Sequence, residues 1–177
     1  EYYKKPEATR EAFTEDGWFK TGDIGRIDED GYLFITDRLK DLIITSGGKN
    51  IAPQMIETLM AEDHFIEYIA VIGDGRKYVS ALIVPTFENL EDWAQKQGIS
   101  FASRAELIQN PRVLEFYRGI IDERQKTLGQ VEHIKKFTLL ENEFSQETGE
   151  VTATMKVKRK VVQEKYRDLI EAMYEKE

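Results

Sequence analysis

The segment Trp18-Phe19-Lys20-Thr21-Gly22-Asp23 is the first whose residue types could bind a ligand. We interpret Thr21-Gly22-Asp23 as the end of a strand followed by a tight turn that presents a carboxylate. A carboxylate placed in this way can accept hydrogen bonds from both hydroxyls of a ribose, as an acidic residue does in dinucleotide sites. The same three residues also fit a plain turn capped by the aspartate, and for so short a motif the plain turn is the more frequent outcome.

Two charged segments could contact an anionic group. In Asp37-Arg38-Leu39-Lys40-Asp41 the arginine is flanked by carboxylates, so a surface ion pair with Asp37 or Asp41 is the simplest alternative to ligand binding. The segment Lys156-Val157-Lys158-Arg159-Lys160 is a basic run, and such runs are usually solvated faces or nucleic-acid patches. The net charge of -8 argues against a nucleic-acid partner, because nucleic-acid binding favours a basic surface.

The composition excludes several classes of site. The chain has no cysteine, so disulfides, thiolate metal sites and cysteine nucleophiles are excluded, and a reducing cytoplasm fits. His64 and His133 have no acid–base partners near them in the sequence; we interpret both as structural and predict no metal site. No stretch approaches the roughly 18 apolar residues of a membrane span, and the first residues lack the basic start and apolar middle of a secretory signal. Because Glu1 is not a methionine, we expect the chain to begin inside a longer polypeptide.

The pattern of apolar residues predicts a mixed set of elements and therefore the α+β or α/β class. Gly25 to Ile35 reads as a β-hairpin in which Gly31 takes the positive φ of the turn. Residues 1–12 read as a short helix or a loop. The other expected elements are a helix from Pro53 to about Ala61, strands at 67–73, 78–84 and 134–140, helices at 87–97 and 103–109, a longer helix carrying Val113 through Leu128, and a helix over about 158–175.

Taken together, three motifs resemble the adenylate-forming superfamily of acyl-CoA synthetases, adenylation domains and luciferases. They are Thr21-Gly22-Asp23, the segment from Asp37 to Asp41, and the segment from Ser46 to Pro53, in that order and spacing. Other segments are similar to the AMP-forming long-chain fatty acid–CoA ligases: Asp74 to Pro85, the helical stretch from Phe87 to Gln130, and Gly149 to Arg159. Ala153 departs from this pattern, because the long-chain version usually has proline there.

The resemblance implies roles for residues on the nucleotide side of the site. Asp23 matches the acidic residue that binds the ribose hydroxyls of ATP. Arg38 matches the arginine that holds the nucleotide near the ribose and phosphates. Lys40 matches the hinge, a position where backbone dihedral angles change during domain motion.

The resemblance also implies roles for three residues of the following domain. Gly47 and Gly48 match a loop that faces the active site during thioester formation, where glycines let the backbone approach a pantetheine arm. Lys156 matches the catalytic lysine that contacts the acyl carboxylate and the α-phosphate during adenylation. A fixed cation at that point offsets the negative charge that develops in the transition state.

The expected architecture is a small α+β lid with a short mixed sheet flanked by helices. Residues 1–39 are expected to form the carboxy-terminal edge of a large domain and residues 40–177 a small mobile domain. The implied reaction activates a fatty acid with Mg²⁺-bound ATP and transfers the acyl group to CoA, releasing AMP and pyrophosphate. Because the rest of the large domain is expected to lie outside this chain, we expect the chain alone to be inactive and to bind no cofactor stably.

Alternatives remain open at this stage. The parent enzyme could load an acyl carrier protein or activate another carboxylic acid, and the chain could instead be a stand-alone binding module with the lid fold. Trp18, Phe19 and Phe34 would lack their usual partner surface, which favours self-association. The sequence favours a cytoplasmic location and leaves peripheral attachment to the inner membrane face open.

Overall fold

The first unit of the chain, Glu1–Leu42, is built around a β-hairpin. A short helix, α1 (Pro6–Glu11), precedes it and carries proline in its first turn, where the missing N–H costs nothing. Strand β1 (Asp23–Ile27) pairs antiparallel with β2 (Leu33–Arg38). The predicted hairpin is therefore present, and its turn residue Gly31 has a φ of +86°.

The segment before the hairpin differs from the expectation that Thr21-Gly22-Asp23 would end a strand. Asp23 is the first residue of β1, and Gly22 turns the chain into that strand with a φ of +75°. Phe19 makes only an isolated bridge with Phe13, because no longer segment lies opposite it. The prediction was wrong in direction: the tripeptide begins a strand.

The first unit has almost no buried side chains. Among residues 1–42 only Asp37 is buried, whereas Trp18 is 74% exposed and Phe19 is 55% exposed. Phe34, on β2, is also exposed. A hairpin and one helical turn are too small to enclose these rings.

The second unit, Ile43–Glu177, contains two sheets, and the computed structural model describes the chain over residues 1–175. The smaller sheet pairs β3 (Ile43–Ile44) with β4 (Asn50–Ile51). The larger sheet consists of β5 (Ile66–Ile72), β6 (Val79–Pro85) and β7 (Ile134–Leu139). Its order is β5-β6-β7, in which β6 is antiparallel to β5 and parallel to β7. All seven residues of β6 are buried, as the apolar run at its centre predicts for a strand covered on both faces.

Helices cover both faces of the larger sheet. The bounds are α2 (Pro53–Ala61), α3 (Phe87–Lys96), α4 (Arg104–Gln109), α5 (Pro111–Arg124), α6 (Arg159–Lys165) and α7 (Arg167–Tyr174), with short 3-10 turns at Leu39–Asp41, Gln125–Thr127 and Gln130–Glu132. The predicted long helix stops at Arg124, so Leu128 lies beyond it. The predicted carboxy-terminal helix is two helices, because Tyr166 between them has a φ of -108° and a ψ of +26°. Residues 176–177, the last two of the predicted small domain, lie outside the described residues.

Alternate residues of β5 pack into two separate hydrophobic cores, one on each face of the sheet. Ile69 and Val71 of β5 pack with the side chains of α2 and of the helices between β6 and β7. Ala70 and Ile72 of the same strand pack on the opposite face, against α6, α7 and the segment from Leu140 to Val157. The predicted α+β class, with a short mixed sheet between helices, is confirmed.

Candidate functional site

Asp23 and Arg38 lie opposite each other at the open end of the hairpin. They are register partners in the two strands, and Nε of Arg38 is 3.5 Å from Oδ1 of Asp23. A bulge at Ile24–Gly25 separates this pair from the rest of the ladder, and bulges are frequent where a strand presents a side chain to a ligand. The side chains are 32% and 60% exposed, so both can reach a ligand. The hairpin therefore brings together the two residues expected to hold a nucleotide.

Lys40 lies in the 3-10 turn Leu39–Asp41 directly after β2, and its side chain is exposed. A residue at the end of an element is where hinge motions are usually absorbed. The position suits the expected hinge, and that role stays a prediction.

Residues 45–49, which we call the glycine turn, join β3 to β4. The N–H of Gly48 donates to the carbonyl of Thr45 at 2.8 Å, and the N–H of Thr45 donates to the carbonyl of Lys49 at 3.0 Å. Gly48 has a φ of +71°, which L-residues with a side chain rarely adopt. A Cβ atom added at Gly47 would meet nothing nearer than the Thr45 hydroxyl at 4.0 Å. Only one of the two glycines is thus required by the backbone, and both leave an exposed strip of main chain.

The glycine turn is attached to the turn between β5 and β6. The N–H of Ile44 donates to Oδ1 of Asp74 at 3.0 Å. The N–H of Gly75 donates to the carbonyl of Ile44, and the N–H of Ser46 donates to the carbonyl of Arg76, both at 2.8 Å. Sequence reasoning used Asp74 only as part of a motif and missed this attachment, since the contact spans 30 positions.

Residues 152–156, which we call the lysine turn, carry Lys156 on the surface of the second unit. The N–H of Thr152 donates to the carbonyl of Lys156 at 2.9 Å, and the N–H of Lys156 donates to the Thr152 hydroxyl at 3.1 Å. Met155 has a φ of +59°, a conformation that costs a residue with a side chain about 1–2 kcal/mol. The turn therefore has a defined shape, and it presents an exposed ammonium group.

A buried carboxylate lies at the base of the lysine turn. Glu150 is 0% exposed, and its two carboxylate oxygens accept hydrogen bonds from Lys165 and Thr148. Burial on its own would raise the pKa of Glu150, but these two hydrogen bonds outweigh it and lower the pKa to about 2. Glu150 is thus charged at neutral pH, and sequence reasoning did not single it out.

The two histidines make local contacts. The ring of His64 lies 4.3 Å from that of Phe65, and Nε2 of His133 is 3.1 Å from the carbonyl oxygen of Leu128. Across residues 1–175, no group of three or more His, Cys, Asp or Glu side chains is arranged to hold a metal ion. Within the same residues, every helix is too short or too polar to cross a bilayer.

The chain matches a known protein family over most of its length. Residues 40–177 match the family model described as the AMP-binding enzyme C-terminal domain, and the chain belongs to that family. The resemblance indicated by the sequence motifs is thereby confirmed.

Relatives narrow the class further. The long-chain-fatty-acid–CoA ligase FadD15 of Mycobacterium tuberculosis is 43% identical over 177 residues, which cover 99% of this chain and 29% of that protein. The long-chain-fatty-acid–CoA ligase ACSBG1 of Rattus norvegicus is 36% identical over 194 residues, with coverage of 99% and 27%. The chain therefore spans less than a third of the length of these curated relatives.

Solved structures share the fold. The adenylation domain of a carboxylate reductase from Mycobacterium chelonae matches 98% of this chain and 25% of its own length, with 27% identity and a TM-score of 0.76. The A-PCP didomain of a carboxylic acid reductase from Segniliparus rugosus, in complex with AMP, matches 98% of this chain and 23% of its own length, with 27% identity and a TM-score of 0.73. The family is thus one of adenylate-forming enzymes that use ATP.

Proposed function

We propose that this chain is the carboxy-terminal domain of an AMP-forming long-chain fatty acid–CoA ligase. The observation that carries the proposal is Lys156, an exposed cation on a hydrogen-bonded turn inside the region that matches the family model. The 43% identity to a long-chain ligase over nearly the whole chain supports the substrate class. The activity belongs to the longer enzyme, and we expect none from the chain alone.

In the first half-reaction, a carboxylate oxygen of the fatty acid attacks the α-phosphorus of ATP. The new O–P bond gives acyl-AMP, and the bond to the departing pyrophosphate breaks. Two anions approach each other in this step, so the ammonium group of Lys156 lowers the barrier by offsetting the charge that develops. Mg²⁺ accompanying ATP has no cluster of ligands within residues 1–175.

The hairpin of the first unit would hold the nucleotide during that step. The Asp23 carboxylate accepts hydrogen bonds from the ribose hydroxyls, and Arg38, 3.5 Å from it, supplies a cation for the nucleotide. The ion pair orients the carboxylate before ATP arrives.

In the second half-reaction, the sulfur of CoA attacks the acyl carbonyl carbon, and AMP leaves with the electrons of the broken C–O bond. The glycine turn supports this step because Gly47 and Gly48 offer exposed main chain with no side chain to block a pantetheine arm. Rotation of the domain about Lys40 exchanges the lysine turn for the glycine turn at the reacting atoms, a gating motion.

The test compares Lys156→Ala with Lys158→Ala in the full-length enzyme. Lys158 is the matched control, because it is exposed and lies in the same basic run. We expect Lys156→Ala to slow adenylation about 10²- to 10³-fold, measured by pyrophosphate exchange, while thioester formation from preformed acyl-AMP stays near wild type. Equal loss in both half-reactions, or equal loss in both variants, would contradict the proposal. So would acyl-CoA synthesis by the 177-residue chain alone.

A second acceptor is worth testing because of one comparison. One of the solved structures that match this chain is the A-PCP didomain of a carboxylic acid reductase. An acyl carrier protein could therefore take the acyl group in place of CoA. Single-turnover transfer from acyl-AMP to CoA and to a phosphopantetheinylated carrier protein separates the two acceptors.

The exposed rings of the first unit lead to a proposal about association. Trp18, Phe19 and Phe34 have no core of their own, so in the isolated chain they favour contact between copies. Sedimentation velocity of the 177-residue chain at rising concentration should show a growing dimer fraction, which Trp18→Ser should reduce.

Peripheral attachment to a membrane is tested by flotation of the full-length protein with anionic vesicles.

A further inference from the structure

The stem of the lysine turn contains a charged side chain with no role in the chemistry above. Glu150 lies six positions before Lys156 and is fully buried, although carboxylates are rarely buried unless they are paired. Its partner Lys165 is the last residue of α6. The pair therefore ties the segment before the lysine turn to the helix that follows it.

The backbone carries this attachment to the turn itself. The carbonyl of Glu150 accepts the N–H of Lys158 at 2.7 Å, and Val151 forms an antiparallel bridge with Val157. These contacts close the two sides of the stem around residues 152–156. A shift of Glu150 would thus move the backbone of the stem and, with it, Lys156.

A second attachment is made by Arg159, the first residue of α6, on the other side of the stem. Nη2 of Arg159 lies 2.9 and 2.8 Å from the two carboxylate oxygens of Glu57 in α2. Glu57 also accepts the N–H of Val71 in β5 at 2.9 Å. The stem is therefore held by a charged pair on each side, one to α6 and one to α2 and the sheet.

We propose that Glu150 and Lys165 are positioning residues for adenylation, and that their ion pair fixes the stem so that the ammonium group of Lys156 arrives in one geometry. The inference rests on the proposed role of Lys156. Replacing both partners of such a pair by well-packed apolar residues often costs no stability, so a requirement for fixed geometry is the better explanation of why the pair is present. A reactive group displaced by about 1 Å can lose about 100-fold in rate, which shows why fixed geometry matters.

The first test measures the geometry without any catalysis. Backbone ¹⁵N relaxation of the 177-residue chain reports the order of residues 152–157 in wild type, Glu150→Gln and Glu171→Gln. Glu171→Gln is the matched control, because Glu171, on α7, pairs with Arg76, whose carbonyl accepts a hydrogen bond from the glycine turn. We expect lower heteronuclear NOE values in the lysine turn for Glu150→Gln only. Values unchanged from wild type would overturn the proposal.

The second test uses the full-length enzyme. Glu150→Gln should lower kcat for adenylation about tenfold, leave KM for ATP within about twofold, and leave thioester formation from preformed acyl-AMP unchanged. A purely structural role would lower both half-reactions together, in proportion to the folded fraction, and would overturn the proposal. Should Glu150→Gln fail to fold, Lys165→Met removes the cation from a partly exposed position and must give the same split. Lys165→Arg, which keeps the charge, should restore most of the adenylation rate.

The two proposals fail in different ways. If Lys156→Ala leaves adenylation intact while Glu150→Gln loosens the lysine turn, the proposed function is wrong and the structural coupling stands. If Lys156→Ala abolishes adenylation while Glu150→Gln changes neither the turn nor the rate, the positioning role is wrong and the function stands.

Discussion

The lysine turn and the glycine turn are both exposed, yet the fold holds them by different means. Buried or partly buried charged side chains fix the stem of the lysine turn, with Glu150 paired to Lys165 on one side and Arg159 to Glu57 on the other. The glycine turn is held mainly by main-chain hydrogen bonds to residues 74–76. The difference fits the roles that we propose for the two turns. A turn that delivers a side chain must fix the base of that side chain, whereas a turn that offers bare main chain needs only its backbone held.

The attachments also lead into different helices. The lysine turn is tied to α6 through Lys165. The glycine turn reaches α7 indirectly, because Arg76 pairs with Glu171 and lies 4.9 Å from the centre of the Tyr174 ring. The break at Tyr166 separates these two helices. Each turn therefore has its own support in the domain, so a substitution can weaken one turn and spare the other.

The largest effect is expected from removing the charge at Glu150 and varying the pH. The pKa of this carboxyl falls from its ordinary value of 4.5 to about 2 in the folded chain, so its stabilising effect is complete above about pH 4.5 and is lost as the pH falls through about 2. A depression of that size corresponds to about 3 kcal/mol. Solvent screening of the partly exposed Lys165 lowers the expectation to about 2–3 kcal/mol.

Urea unfolding of wild type and Glu150→Gln between about pH 7 and about pH 2.5 measures this effect. Wild type should be the more stable protein at neutral pH, and the difference should shrink steadily in acid. A difference that is independent of pH would mean that Glu150 acts through shape rather than charge.

The next effect concerns the glycine turn and uses the same substitution at neighbouring positions. Gly48→Ala places a side chain at a φ of +71° and should destabilise the domain by about 1–2 kcal/mol. Gly47→Ala has room for its methyl group and should stay within about 0.5 kcal/mol of wild type. In the full-length enzyme, Gly48→Ala should slow thioester formation more than adenylation. Equal effects of the two substitutions would show that backbone conformation does not distinguish the glycines.

The sequence predicted some secondary-structure elements of the chain better than others. The continuous apolar run of β6 predicted that strand, and the helix bounds at Pro53 and Ala61 followed from a proline and an apolar face. The break at Tyr166 was missed because the apolar pattern continues through it, although the backbone does not. The prediction of a strand before Asp23 was wrong because a strand needs a partner, and Phe19 has only an isolated bridge to Phe13.

Motifs along the chain single out the exposed residues of the candidate site, but not the residues that hold them in place. Lys156 and Gly48 belong to short motifs that can be read along the chain, and their roles remain predictions. Glu150 and Asp74 act through partners 15 and 30 positions away, on elements whose packing no local pattern gives. Among the 33 acidic residues of the chain, Glu150 carries no mark in the sequence that distinguishes it from a surface residue.

The smallest effect is expected from Asp74, the one side chain in the described attachment of the glycine turn to residues 74–76. Asp74→Ala removes the acceptor of the Ile44 N–H, a loss of about 1 kcal/mol. The hydrogen bonds from Gly75 and Ser46 remain, so the turn should stay in place. Hydrogen exchange should speed up at Ile44 by about fivefold and change little elsewhere. Asp28→Ala is the matched control, because it removes a carboxylate that likewise accepts a backbone N–H, that of Tyr32, in the hairpin of the first unit. If Asp74→Ala released the whole glycine turn to exchange, side chains rather than main chain would hold it, and the contrast between the two turns would be lost.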